Sequence, residues 1–378
     1  MQLVAIMVSP NRVRAVVRAP WSWRLGSIAG IPIRVHVTLI LLLGWIAVSY
    51  WLVGIGPRAT AAGVLLFVTV FAIIVVHELG HALVARAFGV RTRDILLLPI
   101  GGIASLERIP ERPAQELAIA VVGPAINLAL AAMLWVGIAL VGGPIDPMAA
   151  TTIGQAFAAQ LLWINLVLAA FNLLPAFPLD GGRALRAVLA SRIDRDRATA
   201  IAAAAGKALA AVLAVFGIAF NAWLIVIAFV VWIGAQRERE LVRIRSSLAG
   251  VPAREVMTRR IDLIDIDESL ASAASRMVDG GSSILPVVDH GRMVGAVTRG
   301  DLAEAMLDAG PDAPIASAPR HDVVRVMPNQ PLDQVLDELQ AAPDAIAVVV
   351  DGELPVGLVT PEQLAMYVAL HPARASAS

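Results

Sequence analysis

Residues 75–84 read "VVHELGHALV", and the fold turns on the contrast between this polar group and what precedes it. His77 and His81 stand four apart, so on a helix their imidazoles leave one face and can meet a single ion. Glu78 then lies beside that ion, placed to take a proton from bound water. From Ala61 to Val76 the chain carries no charge, and Thr69 is the one polar side chain. A helix that is apolar on every side over that length has the pattern of a bilayer span. Ionisable groups inside such a helix are costly and tend to be functional. The plainer alternative is a helix end with histidines at the membrane interface.

Composition agrees with a bilayer setting. Of 378 residues, 58% are hydrophobic and 16% charged, and the mean hydropathy is +0.75. Soluble chains are nearer half apolar and a quarter charged, so this is read as a polytopic membrane protein. Lysine plus arginine equals aspartate plus glutamate at 30 each, which gives no bulk charge for a nucleic-acid partner. There is no cysteine, so disulfides and thiolate metal ligands are excluded. Arginines 12, 14, 18 and 24 follow the short apolar opening rather than precede it, unlike a signal peptide. Residues 1–20 are read as a tail.

A span needs roughly 20 apolar residues. About six runs qualify, near 36–56, 61–88, 114–141, 151–174, 198–218 and 221–236. Arg24 and Arg34 precede the first run, and Arg91, Arg93, Arg108 and Arg112 lie between the second and third. Arg183, Arg186, Arg192, Arg195 and Arg197 lie between the fourth and fifth, and Arg237 and Arg239 follow the sixth. The other connections hold little charge. This distribution predicts a multi-pass protein of the cell membrane with both termini in the cytoplasm.

Beyond Arg245 charges become frequent and a repeat appears. "SILPVVDHGRMVGAVTRGDL" (283–302) aligns with "AIAVVVDGELPVGLVTPEQL" (345–364) at a period of 62 residues. Each copy reads as helix, buried strand, turn, strand and helix, so the C-terminal part is a soluble α/β pair.

Zinc needs a third protein ligand and an open position. Within the membrane part the candidates are His36, Glu116, Asp180 and a few loop acids. His77 lies about 17 residues into an inward-running span, roughly 25 Å down at 1.5 Å per residue. The fourth span also runs inward and ends in "FNLLPAFPLDGGR" (171–183), where Pro175 and Pro178 break the helix. Asp180 is therefore at a depth comparable to the histidines, and the two glycines after it let the chain turn back. Glu116, following Pro113, is the rival, read more simply as a first-turn carboxylate facing the helix dipole. The segment "DILLLPIGGIASL" (94–106) is apolar but interrupted by Pro99 and two glycines. It suits a short strand or re-entrant loop better than a span.

HELGH on the second span, "GPAIN" (123–127) on the third and "NLLPAFPLDGG" (172–182) after the fourth together resemble the site-2 protease family of intramembrane zinc metalloproteases. Six spans followed by two repeats resemble the branch with C-terminal CBS domains, as does "GIPIRVHVT" (30–38). The boundaries implied are a tail at 1–20, a membrane protease domain at 21–236, a linker helix at 237–251 and CBS domains at 252–309 and 314–372. The resemblance implies one Zn2+ per chain bound by His77, His81 and Asp180, with Glu78 as general base. The substrate would be a transmembrane protein, unwound before cleavage and held as an added strand along 94–106; an ordinary amphipathic loop is the alternative for that segment. Asn172 is a candidate for the oxyanion or the substrate backbone, an interhelical hydrogen bond being the alternative. Asn127 is read as packing the third span, and His36 as interfacial.

"GAVTRGDL" (295–302) is similar to the CBS signature. The resemblance implies ATP, ADP or AMP at the pair, with Thr298 and Thr360 serving phosphate and Asp301 serving ribose. The second copy has Gln363 where the first has Asp301, so one of the two sites looks weakened. A homodimer formed through these domains is the other role considered. The rival reading of the whole is a transporter or channel gated by CBS domains.

Overall fold

The computed structural model describes residues 21–54, 56–106, 112–259, 261–342, 345–352 and 354–371. The tail at 1–20, Arg108 and the end of the second CBS domain at 372 fall outside them. The chain divides into two compact units, one ending at Val242 and one running from Arg243.

The first unit opens with a hairpin, β1 (Ser22–Ile28) and β2 (Ile31–His36). Its two-residue turn is Ala29-Gly30, both at positive φ, as a tight hairpin requires. His36 caps helix α1 (Val37–Leu52), its Nδ1 accepting from the Thr38 amide at 3.3 Å. Helix α2 (Pro57–Ala87) begins with proline at its first turn, where a missing N–H costs nothing. Segment 94–106 folds as a second hairpin, β3 (Thr92–Leu98) and β4 (Gly101–Leu106). The sheet order is β1-β2-β3-β4, with β2 and β3 parallel across the α1–α2 crossover, so β4 is an edge. Ile31, Ile33, Val35, Ile95 and Leu97 pack from the sheet onto Phe71, Val75 and Ala82 of α2. The alternating burial of β2 follows from a sheet with one face covered.

Helices α3 (Pro113–Leu140), α4 (Ile153–Asn172), α5 (Asp180–Ala190), α6 (Arg195–Ala219) and α7 (Trp223–Leu248) complete the membrane part. Among the described residues four helices, α2, α3, α4 and α6, are long and apolar enough to cross a bilayer. Helix α1, with 16 residues, is shorter, and the charges of α7 begin at Arg237. Leu65, Trp135, Val167, Val215 and Phe229 present their side chains outward, as lipid-facing positions do.

The break before α5 has a steric logic. A Cβ at Gly181 would collide with the carbonyls of Leu173 and Leu174, and one at Gly182 with the backbone of Ala176 and Phe177. Neither glycine has positive φ. They serve close approach of α5 to its own entering loop rather than the turn for which the sequence suggested them.

The second unit contains two copies of one fold. In the first, β5 (Ile264–Asp265), α8 (Leu270–Gly280), β6 (Ile284–Asp289), β7 (Arg292–Thr298) and α9 (Arg299–Ala309) form the sheet β5-β6-β7. In the second, β8 (Val323–Val326), α10 (Leu332–Ala341), β9 (Ile346–Asp351), β10 (Leu354–Val359) and α11 (Pro361–Leu370) form β10-β9-β8. Each sheet has one parallel and one antiparallel pairing. Ile244 and Leu248, the end of α7, are buried in the core of the second copy.

Candidate functional site

Helix α2 presents His77 and His81 inward, 6% and 5% exposed, and α5 starts at Asp180. Nε2 of His77 lies 3.1 Å from Nε2 of His81. Oδ2 of Asp180 lies 3.1 Å from the first and 3.2 Å from the second. Among the described residues these three form the one group of histidine and acidic side chains able to hold a metal ion.

The hydrogen bonds behind the imidazoles decide what this triangle is for. Nδ1 of His81 lies 2.5 Å from the Ile119 carbonyl. A carbonyl only accepts, so that nitrogen carries the proton and Nε2 offers a lone pair. Nδ1 of His77 donates likewise to Oδ1 of Asn127 at 2.5 Å. The Asn127 amide donates to Asn165 at 3.3 Å, which fixes its orientation, and Asn165 donates to the Leu161 carbonyl at 2.9 Å. Two lone pairs and a carboxylate oxygen therefore converge, an arrangement that suits a cation. A tetrahedral zinc with bonds of about 2.0–2.1 Å has edges of about 3.3–3.4 Å, and the observed triangle is close to that size.

Small residues make the approach feasible. A Cβ at Gly123 would strike Nε2 of both histidines, and one at Gly80 would strike Ile126 of α3. Glu78 lies on the side of α2 that meets β4, since a Cβ at Gly102 would fall 2.8 Å from its Cγ.

Other candidates are placed elsewhere. Asn172 ends α4, half-buried, and among the described residues no hydrogen bond joins it to the histidines or Asp180. His36 is a helix cap. Glu116 does sit in the first turn of α3, but it is buried in ion pairs with Arg186 at 2.5 Å and Arg195 at 3.1 Å. Asn127, read from the sequence as packing, is bonded to His77. The signal for it in the sequence is an amide within an apolar helix, and Asn165 carries the same signal.

In the second unit Thr298 and Asp301 form a reciprocal cap at the start of α9. Oδ2 of Asp301 accepts from the Thr298 amide at 2.8 Å and its hydroxyl at 2.6 Å, and faces Nε2 of His321 at 2.8 Å. Burial, the largest single influence, pushes the Asp301 pKa up, but the bonds from Thr298 and the neighbouring His321 outweigh it and hold the group below its ordinary value. Thr360 and Gln363 make the matching cap on α11, and Gln363 bonds to Thr258.

With this geometry in place, likeness to known proteins adds identity. Residues 65–213 match peptidase family M50, and residues 253–308 and 315–370 match the CBS domain. A zinc metalloprotease of Methanocaldococcus jannaschii is 34% identical over 284 residues, covering 75% of this chain and 79% of its own. Rip3 of Mycobacterium tuberculosis is 31% identical over 371 residues, 90% of this chain and 91% of its own. A solved site-2 protease from Methanocaldococcus jannaschii is 36% identical and covers 58% of this chain and 95% of its own, with a TM-score of 0.44.

Proposed function

Since the chain belongs to peptidase family M50, the site-2 proteases, and is a multi-pass zinc metalloendopeptidase with tandem CBS domains, we propose that it performs intramembrane proteolysis with His77, His81 and Asp180 as ligands of one zinc ion and Glu78 as general base. The observation that carries this is the triangle of donor atoms 3.1–3.2 Å apart, lone pairs inward, with Glu78 on the next residue of the helix. A bound zinc would supply Lewis acidity and acidify its water towards a pKa of about 7.

The chain's own residues do the rest. Asn127 and the Ile119 carbonyl hold the imidazoles in the tautomer that points Nε2 at the ion. Glu78 accepts a proton as the water oxygen attacks the scissile carbonyl carbon. When the C–N bond breaks, Glu78 passes that proton to the leaving nitrogen, which departs as an amine and leaves a carboxylic acid that gives its own proton to solvent. A helical substrate hides its carbonyls in its own hydrogen bonds and must unwind first. Strand β4 supports a way of holding the opened segment: it is a sheet edge, and Gly102 brings it against Glu78. The arginine distribution supports a cytoplasmic location for both termini and the CBS pair.

Regulation is the finer part of the proposal. An adenine nucleotide binds mainly at Thr298 and Asp301, with Thr360 marking a weaker second site, because Gln363 carries no charge and Pro361 lacks a donor. Its occupancy shifts the pair only as far as it prefers one arrangement, and the segment 236–249, the end of α7 and the residue after it, transmits that shift. The rival reading as a gated transporter leaves Glu78 beside the metal ligands without a role.

The test is membrane proteomics on wild type and Glu78→Gln, with metal analysis of both purified proteins. The proposal requires equal zinc in both and at least one membrane protein that accumulates uncleaved in the variant. Absence of stoichiometric zinc from the wild type would refute it.

A further inference from the structure

Arg186 is the largest fully buried side chain among the described residues, 1% exposed, and the chemistry above leaves it without a task. It lies on α5, six residues after Asp180. Its Nε donates to Oε1 of Glu116 at 2.7 Å, Nη2 approaches the same oxygen at 2.5 Å, and Nη1 is paired with Glu238 of α7. The guanidinium carbon stands 5.0 Å from the centroid of the Phe177 ring. Arg195 takes the other oxygen of Glu116 at 3.1 Å. Two cations and two carboxylates therefore meet in a balanced group whose centre, Arg186 and Glu116, is buried and whose outer members, Arg195 and Glu238, are partly exposed.

Such a group is a weak source of stability, because desolvation offsets most of the attraction. What it does fix is geometry: a guanidinium gripped by two carboxylates and stacked on a ring has one orientation. The elements it joins are those of the metal triangle. Glu116 lies on α3, one turn before the carbonyl of Ile119 that holds His81, and the same helix supplies Asn127 for His77. Arg186 lies on the short helix headed by Asp180, and Phe177 on the proline-broken loop leading into it. That helix has no side-chain cap at its N-terminus, so beyond its close packing on the entering loop at Gly181 and Gly182 the Arg186 cluster is the polar contact that ties it to α3 and α7.

We propose that Arg186, clamped by Glu116 and Glu238, is a positioning residue that sets Asp180 against the two histidines. This rests on the reading of the triangle as a zinc site. The geometry ties the helix bearing the third donor to the helix that orients the first two, and makes the triangle one rigid frame.

The experiment uses the full chain in detergent, with zinc retention against a chelator and the visible spectrum of the cobalt-loaded protein as readouts. Unfolding of the metal-free protein serves as the structural control. Arg186→Lys keeps the charge but lacks the planar fork. It is expected to fold, to lose zinc about 10- to 100-fold faster, and to shift the cobalt spectrum towards that of Asp180→Ala. The combined Arg186→Met, Glu116→Gln, Glu238→Gln protein removes the buried charge without leaving a carboxylate unpaired. It is expected to match wild type in metal-free stability and still show the faster loss. Wild-type retention and an unchanged spectrum in either folded variant would overturn the assignment. If wild type and Asp180→Ala retained zinc alike, the ligand reading itself would fail, and this inference with it.

Discussion

Two places in this molecule put an aspartate in the first turn of a helix and bring imidazole to it, and they do opposite things with the pair. Asp301 turns its Oδ2 back on its own helix start, taking the Thr298 amide and hydroxyl, with His321 beside the same oxygen. Asp180 caps nothing. Its Oδ2 faces two histidines whose other nitrogens are already committed to Ile119 and Asn127. The first cluster is closed, each group satisfied by a neighbour. The second is open, three donors aimed at one point. A carboxylate beside histidine at a helix start thus has no fixed meaning; the direction of the remaining bonds decides whether it is a staple or a receptor.

The largest effects should come from the open cluster. Glu78→Gln is expected to lower proteolysis roughly 10²- to 10⁴-fold while zinc content stays at the wild-type level, since the amide cannot accept the proton but leaves the ligands alone. Asp180→Ala should lose both. Activity against a reconstituted transmembrane substrate, measured with metal analysis, separates the two. Zinc lost from Glu116→Ala but kept by Asp180→Ala would reverse the assignment of the third ligand.

A smaller effect probes why the cluster is open. Asn127→Leu removes the acceptor that holds the His77 tautomer, so zinc affinity should fall about 10- to 100-fold with the fold retained. Competition with a chelator of known affinity measures this. Unchanged affinity would mean that Asn127 only packs, as its sequence context alone suggested.

That contrast shows where sequence was legible. HELGH is local: two histidines and a glutamate on one helix declare their geometry by spacing alone. Asp180 is 103 residues from His77, yet the proline-broken loop singled it out, and the structure brings its Oδ2 to 3.1 Å from Nε2 of His77. The 62-residue repeat announced the C-terminal pair, whose strands and helices recur at that interval. Hydrogen bonds between separate helices were not legible. Asn127 meets His77, and Glu116 meets Arg186, only through helix rotation set by packing, which no one-dimensional pattern records. Glu116 therefore reads in sequence as either a first-turn carboxylate or a metal ligand, and in the structure its oxygens are taken by Arg186 and Arg195.

The closed cluster gives the next prediction. A nucleotide that uses Asp301 for ribose competes for that carboxylate with Thr298 and His321, which already share its Oδ2. Asp301→Ala is therefore expected to weaken ATP, ADP or AMP binding to the full-length protein roughly tenfold, Gln363→Ala much less, and His321→Ala to tighten it. Calorimetric titration reads all three. Equal losses at Asp301 and Gln363 would erase the asymmetry between the repeats.

The smallest effect concerns the staple itself. Asp301 has a folded-state pKa below its ordinary value, because the Thr298 bonds and His321 outweigh the opposing effect of burial. A depressed carboxylate contributes stability that is complete above its unfolded pKa of about 3.9 and fades as pH falls through the folded value. Asp301→Asn removes the charge but keeps the shape. It should cost the second unit about 0.3–1 kcal/mol at pH 7, typical of a carboxylate in the first turn of a helix. That deficit should begin to shrink as pH falls below about 4, where the unfolded chain takes up the proton, and should be gone once pH passes the lower folded-state value and wild-type Asp301 is neutral as well. Gln363→Ala, in the matching cap, removes an amide that does not titrate, so any cost it brings should be the same at both pH values. Denaturant midpoints for the two variants across this range test the sign. A deficit for Asp301→Asn that grew on acidification would show that the carboxylate is not what closes the cluster.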